Sequence, residues 1–317
     1  MFERIARSWE LMKQSWQVLK SDKELLLFPV FSSIAFLFVV VSFALPFVLS
    51  PTLREAVNLR VSHERIENQE FQGDSDTENL MVQHQDEPRQ VALNARQIVP
   101  TLVGFAFYLA TSFVIVFFNT ALVCCAMIRF SGGNPTIGDG LRAAMARLPQ
   151  IFGWVLLSAT VGTILRAIEE RVPLIGKIVV GFVGMAWAAV TFMVVPILAA
   201  EQLGPFSAVK RSASLLRKTW GEALVGQVSL AGIQMLFMLP IFVGALVMGL
   251  LSASLQSMWP FAIAGGVAAL YFVMLAIVFS TLQQIFLAAV YQYAADGTVP
   301  NGFSQELIES AFKPKGT

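Results

Sequence analysis

Leu25-Leu-Leu-Phe-Pro-Val-Phe-Ser-Ser-Ile-Ala-Phe-Leu-Phe-Val-Val-Val-Ser-Phe-Ala-Leu-Pro-Phe-Val-Leu49 runs 25 residues without a charged side chain. A helix needs about 20 apolar residues to cross the hydrocarbon core of a bilayer, so this stretch reads as a transmembrane helix. Just ahead of it, Phe2, Ile5, Trp9, Met12, Trp16 and Leu19 recur at alternating steps of three and four. That spacing puts them on one helical face, and two tryptophans on an apolar face suit a helix lying in the membrane interface. The pair, surface helix then span, is the unit from which the rest of the chain is read.

Five further apolar stretches follow, at 99–128, 151–168, 178–200, 223–251 and 260–291. The second, fifth and sixth exceed what a crossing needs and must tilt, kink or extend into water. Pro46, Pro196 and Pro240 are the expected kink points. The unit recurs: Phe206, Val209, Ala213, Leu216 and Trp220 repeat the surface stripe, and Ile137, Leu141, Met145 and Leu148 make a weaker one. Asn134-Pro135 and Gly204-Pro205 both read as a cap followed by proline at the first helical position. Val299–Phe312 gives a third echo after the last span. The expected fold is an all-α polytopic membrane protein, with six spans as three pseudo-repeated hairpins, each entered through an amphipathic interfacial helix.

Composition agrees with this class. Charged residues make up 14% of the 317, against about 25% in soluble domains, and 56% are hydrophobic. A net charge of +1 argues against a nucleic-acid partner. The adjacent Cys124 and Cys125 point in different directions on one helix, which speaks against a disulfide between them. They read as core or lipid-facing residues.

Lys and Arg counted over short loops set the orientation. Arg4, Arg7, Lys13, Lys20, Lys23, Arg129, Arg142, Arg147, Lys210, Arg211, Arg217 and Lys218 all fall on one side. Both termini are therefore expected in the cytoplasm. Residues 1–317 read as a single membrane domain, with residues 51–97 an extracytoplasmic polar loop inserted in the first hairpin. That loop carries nine acidic side chains, five arginines and both histidines, His63 and His84. Its middle, Gln72-Gly-Asp-Ser-Asp-Thr-Glu-Asn79, has the low hydrophobicity of a solvated segment. Its flanks read as helical extensions of the first two spans. The histidine spacing gives no support to a metal site.

The opening Met1-Phe-Glu-Arg-Ile-Ala-Arg-Ser-Trp9 with Lys23-Glu-Leu-Leu-Leu-Phe-Pro29 resembles an uncharacterised family of prokaryotic six-span membrane proteins. The likeness continues through Gly138-Asp-Gly-Leu-Arg-Ala-Ala144, Pro196-Ile-Leu-Ala-Ala-Glu201 and Tyr291-Gln-Tyr-Ala-Ala-Asp-Gly297, and covers nearly the whole chain outside residues 51–97. The Pro196–Glu201, Gly204-Pro205 and Arg211-Ser212 segment is also similar to YciC-like proteins and to the membrane domain attached to some glycerophosphodiester phosphodiesterases. The resemblance implies the fold and a prokaryotic cytoplasmic (inner) membrane, and it implies no activity.

No metalloprotease, nucleophile-elbow or phosphate-loop motif is present, so neither an enzyme nor a cofactor or metal requirement is expected. Ionisable residues within spans usually mark ion pathways, and here they sit near span ends. Arg166 with Glu169 or Glu170 is read as a local ion pair, and Glu201 with Arg211 as a bridge fixing the elbow between a span and a surface helix. Asn119, Gln227, Gln234, Gln283 and Gln284 are the uncharged polar residues within spans. They read as interhelical hydrogen-bonding groups or as the lining of a neutral polar path. Small-residue seams at Gly181-x-x-Gly184 and Gly265-Gly266 would let hairpins enclose such a path. The leading expectation is passage or binding of a neutral or lipid-like solute. The alternative is a non-enzymatic membrane-organising scaffold that recruits partners through its surface helices and outer loop. Membrane lipids, a second copy of the chain, and a protein docked on residues 51–97 are the expected partners.

Overall fold

The computed structural model describes residues 2–49, 86–171, 175–218, 222–254 and 258–304, and among these there is no strand. In chain order the helices are α1 (Phe2–Ser21), a 3₁₀ turn (Lys23–Leu26), α2 (Leu27–Leu49), α3 (Asp86–Phe130), α4 (Ile137–Met145) and α5 (Leu148–Arg171). Then come α6 (Ile175–Thr191), α7 (Val194–Ala200), α8 (Pro205–Lys218), α9 (Glu222–Ser254) and α10 (Trp259–Asp296). Six stretches are long and apolar enough to cross a membrane: Lys23–Pro46, Thr101–Phe130, Leu148–Glu169, Val179–Ala200, Gly232–Ser254 and Phe261–Asp296. His63, His84 and most of the expected docking loop fall on residues 51–85, outside the described residues. α3 begins at Asp86 and continues unbroken for 45 residues, so the C-terminal flank of that region does extend the second span.

The chain forms two compact units, residues 34–114 and residues 1–33 with 115–317. The smaller holds the far part of α2 and the first part of α3, with Phe43 and Phe107 edge to face at 5.5 Å. In the larger, buried side chains gather at the same end of successive spans: Leu25 and Phe28, Ala121 through Ala126, Ile151 through Ala159, Met193 through Ala199, and Leu282 through Tyr291. Cys124 and Cys125 belong to this core as free thiols, with Cys124 Sγ 3.7 Å from the Ala199 carbonyl.

The fourth span is two helices. Pro196 has no N–H for the carbonyl four residues earlier, and its ring crowds that carbonyl, so the helix breaks at Phe192–Met193. Ser212 of α8 accepts the freed Met193 N–H at 3.1 Å. Pro46 and Pro240 remain inside continuous helices. α3 ends where Gly132, at φ +85°, lets Gly133 N–H reach back to Ile128 O at 3.0 Å.

The cap of α4 corrects the sequence reading. The helix starts at Ile137, not after Asn134, because Thr136 and Asp139 form a reciprocal capping box. Thr136 Oγ1 accepts from Asp139 N, and the Asp139 carboxylate accepts from Thr136 N at 3.0 Å. The surface helices bury only part of the stripe that their large apolar residues mark. α1 buries Met12 and Leu19 of the stripe together with Ser15 and Val18, and leaves Trp9 and Trp16 exposed. α4 buries Gly140 and Ala144, with Met145 exposed; α8 buries Leu216 of the stripe together with Ala208, Ser212 and Leu215, with Phe206 exposed. Close helix packing admits small side chains beside these, and the largest apolar ones face outward.

Candidate functional site

α9 and α10 pack along each other as a hairpin whose two halves differ. Toward the C-terminal end of α10, Leu275, Phe279, Leu282 and Ile285 are buried, and the Phe279 ring lies 5.6 Å from Phe237. Toward the hairpin tip lies an open cleft of about 600 Å³, lined by Ile241, Ala245 and Met248 of α9 and Ala264, Ala268 and Tyr271 of α10, among others. A cavity of this size falls within the range of small-molecule sites. Outside the cleft the same stretches carry uncovered apolar side chains, including Phe242, Leu246, Leu250 and Leu270.

Two features of the sequence shape the cleft. Pro240, inside the continuous α9, has no N–H to donate to the Leu236 carbonyl. Beside it, Tyr271 donates its hydroxyl to the Phe237 carbonyl at 3.0 Å, a backbone group of the turn before the proline. Gly244 and Gly265 contribute empty volume: a Cβ built on either would meet nothing within 4 Å. The same is true of Gly181, Gly184 and Gly266, so the glycines read as internal seams are open positions within the chain.

The predicted polar residues lie elsewhere. Asn119, Gln234, Gln283 and Gln284 are half-buried and none lines the cleft. Gln284 Oε1 is buried without a hydrogen-bond partner among the described residues. Gln227 lies on α9, with its side chain outside the described residues. Arg166 is exposed, and among the described residues no ion pair joins it to Glu169; the side chain of Glu170 is not among them. An exposed i,i+3 pair is worth little.

Glu201 is different. Arg211 Nε donates to both its oxygens, at 2.9 and 3.1 Å, and Tyr291 O–H donates to Oε1 at 2.7 Å. The hydrogen bond to Glu201 holds the Arg211 guanidinium even more firmly protonated than usual. This knot joins α7, α8 and α10. A second polar group sits at the α1–α2 elbow, where Asp22 is buried. Burial raises its carboxyl above the ordinary value, although Arg129 pulls it the other way and Glu24 adds to the rise. Among the described residues no three His, Cys, Asp or Glu side chains converge as a metal site.

The fold and cleft together define a class: a polytopic all-helical chain with six potential membrane spans. Within that class the chain belongs to DUF6159, a family of unknown function whose model matches residues 98–302. That match lends no support to the wider likeness to YciC-like or phosphodiesterase-linked membrane domains. No curated protein and no solved structure matches the chain.

Proposed function

We propose that this protein binds a lipid-like or other neutral apolar solute within the membrane, in the α9–α10 cleft. The observation that carries this reading is the cavity of about 600 Å³ bounded by two apolar spans. Its walls are hydrocarbon apart from the Tyr271 hydroxyl, so dispersion and burial of apolar surface would drive occupancy. Binding is favoured over passage because the span glutamines lie away from the cleft. The test is saturable photolabelling of the reconstituted chain by a long alkane bearing a diazirine, with adducts mapped to residues 240–271. Ala245→Trp, which fills the cleft, should abolish saturation. Labelling that rises linearly with probe, equal in wild type and variant, would reduce the cleft to ordinary lipid contact.

The finer membrane reading has its own support. Outward-facing Trp9, Trp16, Met145 and Phe206 suit short helices seated in the interface of a prokaryotic inner membrane, with both termini cytoplasmic as the Lys and Arg pattern requires. The revised cap also improves the internal repeat. Thr136, Gly140 and Ala144 precede Gly204, Ala208 and Ser212 by 68 positions each, which superposes two caps and two pairs of buried small residues. The same outward aromatic groups support a second reading, a non-enzymatic scaffold that docks partners on its surface helices.

A further inference from the structure

The outward faces of the surface helices mix rings with cations. On α1, Trp9, Lys13, Trp16 and Lys20 are exposed at steps of four, three and four, so aromatic and cation alternate along one line. On α8, Phe206, Lys210, Ser214 and Arg217 are exposed at steps of four, four and three. On α4, Arg142 and Met145 are both exposed, one turn apart. The cations thus share a face with the bulky apolar side chains, while Ser15, Gly140 and Ser212 pack inward.

These helices are fastened at one end of the bundle. Gln14 of α1 donates to Ser304 Oγ at 3.1 Å and accepts from Ser304 N at 3.2 Å. The neighbouring Phe303 packs edge to face on Phe130, where α3 leads into α4. α8 is tied through Arg211 and Glu201 to Tyr291, near the end of α10. The connections to the spans are short. The four-residue turn Lys23–Leu26 joins α1 to α2, residues 146–147 join α4 to α5, and residues 201–204 join α7 to α8. Four residues reach about 14 Å at most, which keeps these faces close to the headgroup layer.

The acid balance gives the sign of the partner. Glu10 is paired with Lys13 at 3.1 Å. The Asp139 carboxylate serves the Thr136 cap and lies 3.8 Å from Arg142. α8 contains no acidic residue, and the nearby Glu201 is engaged by Arg211. Among the described residues no carboxylate pairs with Lys20, Lys210 or Arg217. Cations interleaved with rings match a partner whose apolar part lies just beneath a layer of negative charge. A leaflet of anionic phospholipid has that order: rings enter at the glycerol level, and the longer cationic side chains reach back to the phosphates.

We propose that the outward faces of α1, α4 and α8 bind the headgroups of anionic phospholipids in the leaflet where they sit. The proposal rests on reading these helices as interfacial, and its test separates the two. The full chain is reconstituted in phosphatidylcholine vesicles with a trace of photoactivatable phosphatidylglycerol or photoactivatable phosphatidylcholine, each with its diazirine near the glycerol. At low salt, phosphatidylglycerol adducts on residues 9–20 and 206–217 should exceed phosphatidylcholine adducts about five-fold, the effect of one cation near an anionic headgroup. About 1 M salt shortens the screening length to about 3 Å and should erase the preference. Lys20→Gln, Lys210→Gln and Arg217→Gln combined should erase it too, with an unchanged melting temperature, because all three side chains are exposed. Arg166→Gln, at an exposed cation outside these faces, should leave it intact. Equal labelling by the two lipids in wild type, or a preference that survives the triple variant, overturns the anionic assignment and leaves the helices interfacial. If neither lipid labels these residues, the interfacial reading and this one fall together, and the faces point to a protein partner.

Discussion

Tyr291 donates its phenolic hydrogen to Glu201 Oε1 at 2.7 Å, tying the end of α10 to the residue that closes α7. Because Arg211 holds the same carboxylate, removing Glu201 strands two groups at once. Glu201→Ala should cost about 2 kcal/mol, discounted for an ion pair that is partly exposed to solvent. Tyr291→Phe should cost about 1.5 kcal/mol, since its partner is charged. Thermal unfolding in detergent, followed by tryptophan fluorescence, reads both. The double variant should lose less than the sum of the singles, because both remove the same bond; strict additivity would mean that Glu201 and Tyr291 do not interact.

Gly140 marks the tightest helix approach. A Cβ there would sit 2.6 Å from Cys125 Sγ, 2.7 Å from Phe28 Cζ and 2.8 Å from the Ala121 carbonyl oxygen. The last is backbone, so α3 or α4 must move, and Gly140→Ala should destabilise by about 2 kcal/mol. Gly138, two residues earlier, meets only its own cap hydroxyl, at 3.7 Å. Gly138→Ala should be neutral or stabilise by up to about 1 kcal/mol. Equal melting temperatures for the two variants would remove the packing argument.

Asp22 and Asp139 predict opposite acid responses. Hydrogen bonds to Thr136 lower the Asp139 carboxyl below its ordinary 3.8, so its capping contribution is present above that value and lost as pH falls through the depressed one. Burial raises the Asp22 carboxyl, so its favourable contribution is full below 3.8 and lost as pH rises through the elevated value. Asp22→Asn should therefore raise the melting temperature at pH 7, and Asp139→Asn should lower it. Each difference should shrink on acidification. Parallel shifts of both variants at every pH would contradict the assignment.

The sequence makes the spans legible because twenty apolar residues in a row have few other uses. It places Glu201 within reach of Arg211, ten residues on across a Gly-Pro break, but nothing local points to Tyr291, 90 residues away. The α4 cap was read at Asn134 because a capping residue followed by proline is a common helix entry. The Thr136–Asp139 reciprocal bond moves it two residues on, and that is a geometric fact. Large apolar residues drew the predicted stripes, whereas helix contacts select Gly140, Ala208 and Ser15, which hydropathy scarcely registers. The cleft was invisible for the same reason. Ala245 and Ala264 look like any lipid-facing residues, while the more conspicuous glutamines lie elsewhere.

Pro240 offers the sharpest test of how the cleft is held open. Its missing N–H withdraws the donor that the Leu236 carbonyl takes in a regular helix, and in the same turn the Phe237 carbonyl accepts from Tyr271. Pro240→Ala restores the donor and removes the ring clash, a gain of up to about 3 kcal/mol for α9 taken alone. The straightened helix should close on α10. Spin labels replacing Ala245 and Ala264 in the full chain should then report a shorter mean distance than in the proline parent, and saturable probe labelling should fall at least five-fold. The protein would become more stable and worse at binding, the trade expected when strain maintains a site. An unchanged distance together with unchanged labelling would mean that α9 and α10 diverge for reasons other than the kink. The cleft would then have to be ascribed to the packing of α10 near Phe279 and Leu282.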